Sequence, residues 1–162
     1  MNQKLKTDLA AAAEFIWFEA DLLDQKDYQE WLTLWDDDGK YIIPIDPLET
    51  DFENSLNYAY DGGAMRDMRV RRLSSGQSMS AAHAAHTLRT VSRFRRLEND
   101  GDDNIHIRCA QNLVQYKFDK HGIYAANVTW SLRPYGDSFK VVRKIVRLIN
   151  STDALAGITF LL

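Results

Sequence analysis

The residues of this 162-residue chain that could do chemistry are four histidines, one cysteine and two clusters of arginine. His83 and His86 are three apart in Ala81-Ala82-His83-Ala84-Ala85-His86. On a helix they would share a face, and in a strand they would lie on opposite faces. A mononuclear iron site of the two-histidine, one-carboxylate type often carries His-x-Asp or His-x-Glu. None of His83, His86, His106 or His121 has an acid two residues later. The run Asp36-Asp37-Asp38-Gly39 suggests a calcium loop until the register is tried. With Gly39 at the sixth position, Leu34 and Ile45 fall on the first and twelfth, and neither supplies a carboxylate. That run reads as a turn. Cys109 is the only cysteine, so no internal disulfide and no two-cysteine, two-histidine iron–sulfur site can form. There is no Gly-x-Gly-x-x-Gly and no phosphate loop. The residues therefore assign this chain no catalytic, cofactor-binding or metal-ligating group.

The arginines lie in a segregated charge pattern. Residues 1–61 carry 15 acidic and 4 basic side chains, whereas residues 62–96 carry 8 basic and 1 acidic. Nucleic-acid binding would call for interleaved aromatics and a basic domain. Only Phe94 lies within the clusters, and the sequence pI is ≈ 5.8. Arginine also forms bidentate pairs with carboxylates and is enriched at protein interfaces. Arg89, Arg93 and Arg95 have the spacing of one strand face, which suits a docking surface, an internal ion-pair network or a solvated charged face.

The elements that would carry these residues follow from periodicity. Leu5, Leu9, Ala12, Ile16, Ala20 and Leu23 recur at helical spacing, with Phe15 and Leu22 widening the face, while Glu14, Asp21 and Asp24 point elsewhere. Asp27 is an N-cap with Glu30 three residues later, opening a second helix that carries Tyr28, Trp31, Leu32 and Trp35 to the aspartate run. Tyr41-Ile42-Ile43-Pro44 predicts a short edge strand, because proline cannot donate to a ladder. Residues 46–60 read as a loop and Gly62 to Leu73 as a basic helix. The remainder predicts strands: 86–97, 104–118, an alternating run from Tyr124 to Leu132, and 139–150, which is apolar on both faces as a central strand would be. In the 104–118 strand the apolar phase changes from Ile105, Ile107 and Cys109 to Val114, Tyr116 and Phe118, which predicts a bulge or a sharp bend there. Helices first and a bent, mixed but mostly antiparallel sheet afterwards imply one α+β domain over 1–162, with the sheet wrapped around the helices. A composition of 45% hydrophobic residues suits a packed core. No apolar run reaches the roughly 20 residues of a bilayer span, and residues 1–13 lack the order of a signal peptide. The expectation is a cytoplasmic protein without membrane or nucleic-acid partners.

Several segments together resemble a known family. Glu19-Ala20-Asp21-Leu22-Leu23-Asp24 followed by Tyr28-Gln29-Glu30-Trp31-Leu32 resembles its opening helices, and Tyr41-Ile42-Ile43-Pro44 its first strand. Arg69-Val70-Arg71-Arg72-Leu73 is similar to its basic helix end. Val141 to Asn150, with Ile158-Thr159-Phe160-Leu161-Leu162, is similar to its closing strands. The family is the small (β) subunit of bacterial aromatic-ring-hydroxylating dioxygenases. Its members have the cone-shaped, cystatin-like fold of nuclear transport factor 2 (NTF2) and scytalone dehydratase. One stretch departs from the family pattern of Ser-Arg-Thr-Arg, a basic residue and Val-Ser-Asn. Here Ala85-His86-Thr87-Leu88-Arg89-Thr90-Val91-Ser92-Arg93 stands in its place, which implies a changed pairing surface if that stretch meets the large subunit.

The resemblance implies a non-catalytic structural subunit with no cofactor of its own. A large (α) subunit would hold a Rieske [2Fe-2S] cluster and a mononuclear Fe(II), and a reductase would supply electrons from NAD(P)H. The complex would add both atoms of O2 to an aromatic ring, giving a cis-dihydrodiol in aromatic compound catabolism. The small subunit would contact the α subunit and other β subunits, as a β trimer within an α3β3 hexamer. Arg89, Arg93, Arg95, Phe160 and Leu162 are the residues expected at such contacts. The apolar end, Ile158 to Leu162, is expected to be buried. Two other readings stay open. A free-standing dehydratase or isomerase of the same fold would need an acid and a base inside the cone, and Tyr41, His86 and His106 could supply them. A ligand-binding or oligomerisation module would need neither.

Overall fold

The structure is a computed structural model that describes residues 3–75, 85–99, 101–151 and 161–162. The elements run α1 (Gln3–Asp24), α2 (Tyr28–Thr33), β1 (Trp35–Pro44), β2 (Asn57–Asp61), α3 (Gly63–Ser75), β3 (His86–Arg96), β4 (Ile105–Lys117), β5 (Lys120–Tyr135) and β6 (Ser138–Leu148). The sheet has the order β2-β1-β6-β5-β4-β3. Among the described residues only β1 and β6 pair parallel; the other neighbours are antiparallel. The six strands form a curved, unclosed sheet with the helices in its concave side.

Burial explains why α1 occupies the concavity. Ala12, Phe15, Ile16, Ala20, Leu22 and Leu23 are buried, and Leu9 packs against the same core. Asp27 caps α2 as its sequence predicts, its side chain accepting from Glu30 N at 3.3 Å. From the sheet, Ile107, Cys109, Val128, Trp130, Leu132, Val141, Val146 and Leu148 point inward and are fully buried. At roughly 25 cal/mol per Å² of apolar surface, this shared core is the main force holding helix and sheet together.

The structure corrects several expectations. The second helix stops at Thr33, and the aspartates lie inside β1. There Trp35 pairs with Val141 and Lys40 with Arg143, so the intervening residues bulge out of the ladder. Arg66 is buried and donates to the carbonyls of Asp36 and Asp61 at 3.4 and 3.3 Å and to that of Gly39. Its guanidinium stacks 4.2 Å from the Trp35 ring centre. β1 is not an edge strand, because β2 forms from part of the expected loop and covers it, and Pro44 sits at a register break near its end. β4 pairs with β5 without interruption, and its inward phase runs on through Gln111 to Leu113. The buried polar Gln111 hid that phase, and the bulge lies on β3 instead, between Ser92 and Arg95. β6 is central as predicted, yet a register shift opposite Ser131 and Leu132 changes its phase after Val141. Lys144 therefore points inward and Ile145 outward. On α1, Glu19 is buried and Asp24 turns to the sheet, so not all of its acids decorate the outer face.

Gly39 sits where a Cβ would stand 2.7 Å from the Val141 carbonyl oxygen and 3.0 Å from that of Asp36. Both are backbone atoms and cannot swing away. Gly39→Ala should cost about 1–3 kcal/mol, a fall of several degrees in melting temperature; an unchanged melt would show that the bulge yields.

Candidate functional site

The inside of the cone is the natural place to look for a site, because the sheet and α1 converge there. Four rings and an ion pair fill it. Trp31 lies edge-on to Trp35 and Tyr41 at ring-centre distances of 5.4 and 6.3 Å. Lys144 Nζ lies 4.8 Å from the Trp130 ring centre. Glu19 Oε1 accepts from Lys144 Nζ at 2.7 Å and from Trp31 Nε1 at 2.8 Å. Both charged side chains are at most 1% exposed. Lys144 also donates to the Leu162 carbonyl at 2.6 Å. The Tyr41 hydroxyl accepts from the Leu162 N–H at 2.8 Å. Arg89 bridges Asp24 and the Leu161 carbonyl.

Burial governs the electrostatics. Desolvation pulls Lys144 below the ordinary lysine range, while the Glu19 carboxylate works against it. Desolvation likewise raises the Tyr41 phenol, and it pushes the Cys109 thiol up to about 11. Cys109 is thus a buried neutral thiol, unlike the low-pKa thiolates that act as nucleophiles.

The three residues that could serve an enzyme do not meet. Tyr41 is inside the cone. His86 is exposed and stands opposite Tyr116. His106 faces outward, bonded to Ser131 Oγ at 2.9 Å and to Asp102 at 3.0 Å. Their spacing in sequence carried no information about which side of a curved sheet each would face. His83 lies outside the described residues.

The residues expected at a subunit contact also separate. Arg89 and Leu162 are buried within the chain itself, and Leu161 with them. Phe160 lies outside the described residues. Arg93 and Arg95 are exposed but do not share a face with Arg89, because Arg93 occupies the β3 bulge with φ 55° and the phase changes across it. Arg93 donates to Asn127 Oδ1. Arg95 faces Arg108 directly across the ladder, and among the described residues neither has an ion-pair partner. Like charges set opposite one another weaken a strand pair unless an anion meets them. Farther along the outer face, Leu88, Val114 and Ile123 form one cross-strand row, with Leu88 66% and Ile123 69% exposed. Beside it run His86, Tyr116 and His121. A contiguous apolar row rimmed by polar groups is the usual mark of a contact surface.

The family model described as "Ring hydroxylating beta subunit" matches residues 18–153. The chain belongs to this family. Among curated relatives it is 26% identical to the N,N-dimethyl phenylurea N-demethylase subunit beta of Sphingobium sp. (strain YBL2), over 99% of this chain and 94% of that one. It is 27% identical to the anthranilate 1,2-dioxygenase small subunit of Acinetobacter baylyi, over 86% and 88%. Among solved structures, the β subunit of the benzoate 1,2-dioxygenase from Burkholderia mallei superposes with a TM-score of 0.77 at 25% identity, covering 94% of this chain and 96% of that one. The fold is NTF2-like: an NTF2-like protein with a cystatin-like fold from Novosphingobium aromaticivorans, 19% identical, superposes with a TM-score of 0.60 over 91% of this chain and 85% of that one.

Among the described residues no cluster of three or more His, Cys, Asp or Glu could hold a metal ion. The single cysteine is buried and cannot supply the two thiolates of a Rieske cluster. A small open groove of ≈ 290 Å³, lined by Lys40, Phe52, Glu53, Tyr60 and Arg143 among others, lies on the outer face and shares no residue with the cone.

Two measurements test the interior. Lys144→Met alone should cost about 3–5 kcal/mol, because it strands a buried carboxylate. Combined with Glu19→Gln, the loss should be smaller than the sum of the two single losses in urea titrations. Additivity within about 0.5 kcal/mol would show that the pair is not coupled. Cys109 should resist a thiol reagent at pH 8 in the native protein and react fully once unfolded; fast native labelling would place it in an open space.

Proposed function

We propose that this chain is the structural, non-catalytic subunit of a cytoplasmic ring-hydroxylating dioxygenase, assembled as α3β3 around a β trimer. The observation that carries this reading is the filled cone in a chain of the β-subunit family. Trp31, Trp35, Tyr41 and Trp130 occupy the space in which an NTF2-like enzyme would hold its substrate. In this reading the Rieske cluster and the mononuclear Fe(II) belong to the α subunit, and NAD(P)H is consumed by the reductase. The product is a cis-dihydrodiol, and substrate choice lies in the α subunit's pocket. Arg93, Arg95 and Arg108, which have no ion-pair partner among the described residues, supply a positive patch for an acidic surface of a partner chain. The row of Leu88, Val114 and Ile123 supplies an apolar one. A single free thiol such as Cys109 suits a reducing compartment.

A second reading keeps the assembly and changes the reaction. The Sphingobium relative, which spans nearly the whole chain, is named for an N-demethylase. The same subunit could then serve an α subunit that oxidises an N-methyl group. Products of the reconstituted complex distinguish the two, a diol in one case and a demethylated amine in the other.

Co-expression with a Rieske-type large subunit encoded beside it should yield a complex whose iron follows the large subunit. Failure to associate with any such partner would overturn the proposal. Arg93→Glu with Arg95→Glu should reduce co-purification at least several-fold while leaving the melting temperature of the isolated chain within a few degrees. Arg89→Glu is a different experiment: it puts a carboxylate against Asp24 in the interior and should unfold the chain.

A further inference from the structure

The cone holds more hydrogen-bonding capacity than a space-filling core requires. Arg89 from β3, Tyr41 from β1, Lys144 from β6 and Glu19 from α1 are all buried and converge on one place. Apolar residues of similar volume in place of a buried Glu–Lys pair are often neutral or stabilising. These side chains do not satisfy one another alone. Three of them bind the backbone of Leu161 and Leu162.

The match is specific. Arg89 Nη2 donates to the Leu161 carbonyl. Lys144 Nζ donates to the Leu162 carbonyl at 2.6 Å, and the Tyr41 hydroxyl donates to the same oxygen at 3.4 Å. The Tyr41 oxygen accepts the Leu162 N–H at 2.8 Å. Both leucine side chains are buried in the cluster that contains Trp31, Trp130 and Leu113. Leu161 and Leu162 lie in no strand, and the partners of their main-chain groups are side chains from three strands. Mostly apolar walls with a few placed polar groups are the make-up of a ligand site. The site is also not used up. Among the described residues, Glu19 Oε2 and Arg89 Nε are buried without a hydrogen-bond partner, as is Gln111 Nε2 on β4. These buried polar atoms keep hydrogen-bonding capacity that the chain itself does not use.

We propose that Glu19, Tyr41, Arg89 and Lys144 form a binding site for a short aliphatic peptide, filled in cis by Leu161–Leu162 and open to exchange for a ligand of the same chemistry. Such a ligand presents two carbonyl oxygens to Arg89 and Lys144, one N–H to the Tyr41 hydroxyl, and two branched aliphatic side chains to the apolar walls. The site is a property of the monomer and stands or falls independently of the dioxygenase assembly.

The test uses the full-length chain with Leu161→Ala and Leu162→Ala, which keeps the backbone and shrinks the resident side chains. The probe is N-acetyl-leucyl-leucine amide. Trp31 and Trp130 share the cluster, so tryptophan emission reports occupancy alongside the melting temperature. The expected result is a saturable rise in melting temperature and a saturable emission change in the double variant. The unsubstituted chain, whose site is occupied, should respond at least tenfold more weakly. Adding Tyr41→Phe, which removes only the hydroxyl, should weaken probe binding by about tenfold. A folded double variant without a saturable response, or one indifferent to Tyr41→Phe, overturns the proposal. If the double variant does not fold, amide exchange in the unsubstituted chain decides. Leu162 N–H should exchange at least tenfold faster than the central β5 amides, because the site opens without global unfolding. Equal rates would show that the dipeptide is a fixed part of the core.

Discussion

The ion pair between Glu19 and Lys144 is the constraint around which this fold is arranged. It joins the C-terminal part of α1 to a central strand of the sheet, across a space from which water is excluded. Each charge alone would be strongly unfavourable there. Each also carries a second bond, Glu19 to the Trp31 indole and Lys144 to the backbone of Leu162. Four separate pieces of chain, namely α1, α2, β6 and the last residues of the sequence, thus register against one pair of atoms. Apolar burial provides the bulk of the stabilisation, but it is non-directional. The ion pair supplies direction: it sets the rotation of α1 about its axis and the depth at which it lies in the sheet.

That pair is not visible to periodicity. Most of α1, the N-cap at Asp27, the basic helix and the inward phase of β5 were legible, because each is a simple repeat with clear ends. Lys144 was not. Alternation from Phe139 and Val141 puts Arg143 inward and Lys144 outward, until one extra residue on β6 reverses the phase. Glu19 was hidden differently, as one acid among several on a helix where Glu14 and Asp21 do face water. The β4 strand misleads in the opposite sense. Its buried Gln111 looks like an outward residue, so the local pattern puts a bulge where the ladder is continuous. Single-residue insertions and buried polar groups are tertiary facts, and they leave little trace in local pattern.

The functional reading was legible for another reason. The resemblance rests on several segments in the right order, and it survives errors in any one of them. Site residues named one at a time had no such protection. Arg89 looked like its neighbours Arg93 and Arg95, yet Asp24 and a backbone carbonyl claim it for the interior. The chemistry of the interior and the charges on the exterior are therefore carried by the same strand, with the β3 bulge as the boundary between them.

The two ends of the sheet have a consequence of their own. An open sheet offers unpaired backbone at both outer strands, and a long flat edge would invite other chains to add on without limit. Here one outer strand, β2, is only five residues long. The other, β3, is kinked by a residue with positive φ and lies against α1. Strand-by-strand growth into filaments is blunted at both sides. Among the described residues, the broad outer face of the sheet is the larger surface left open.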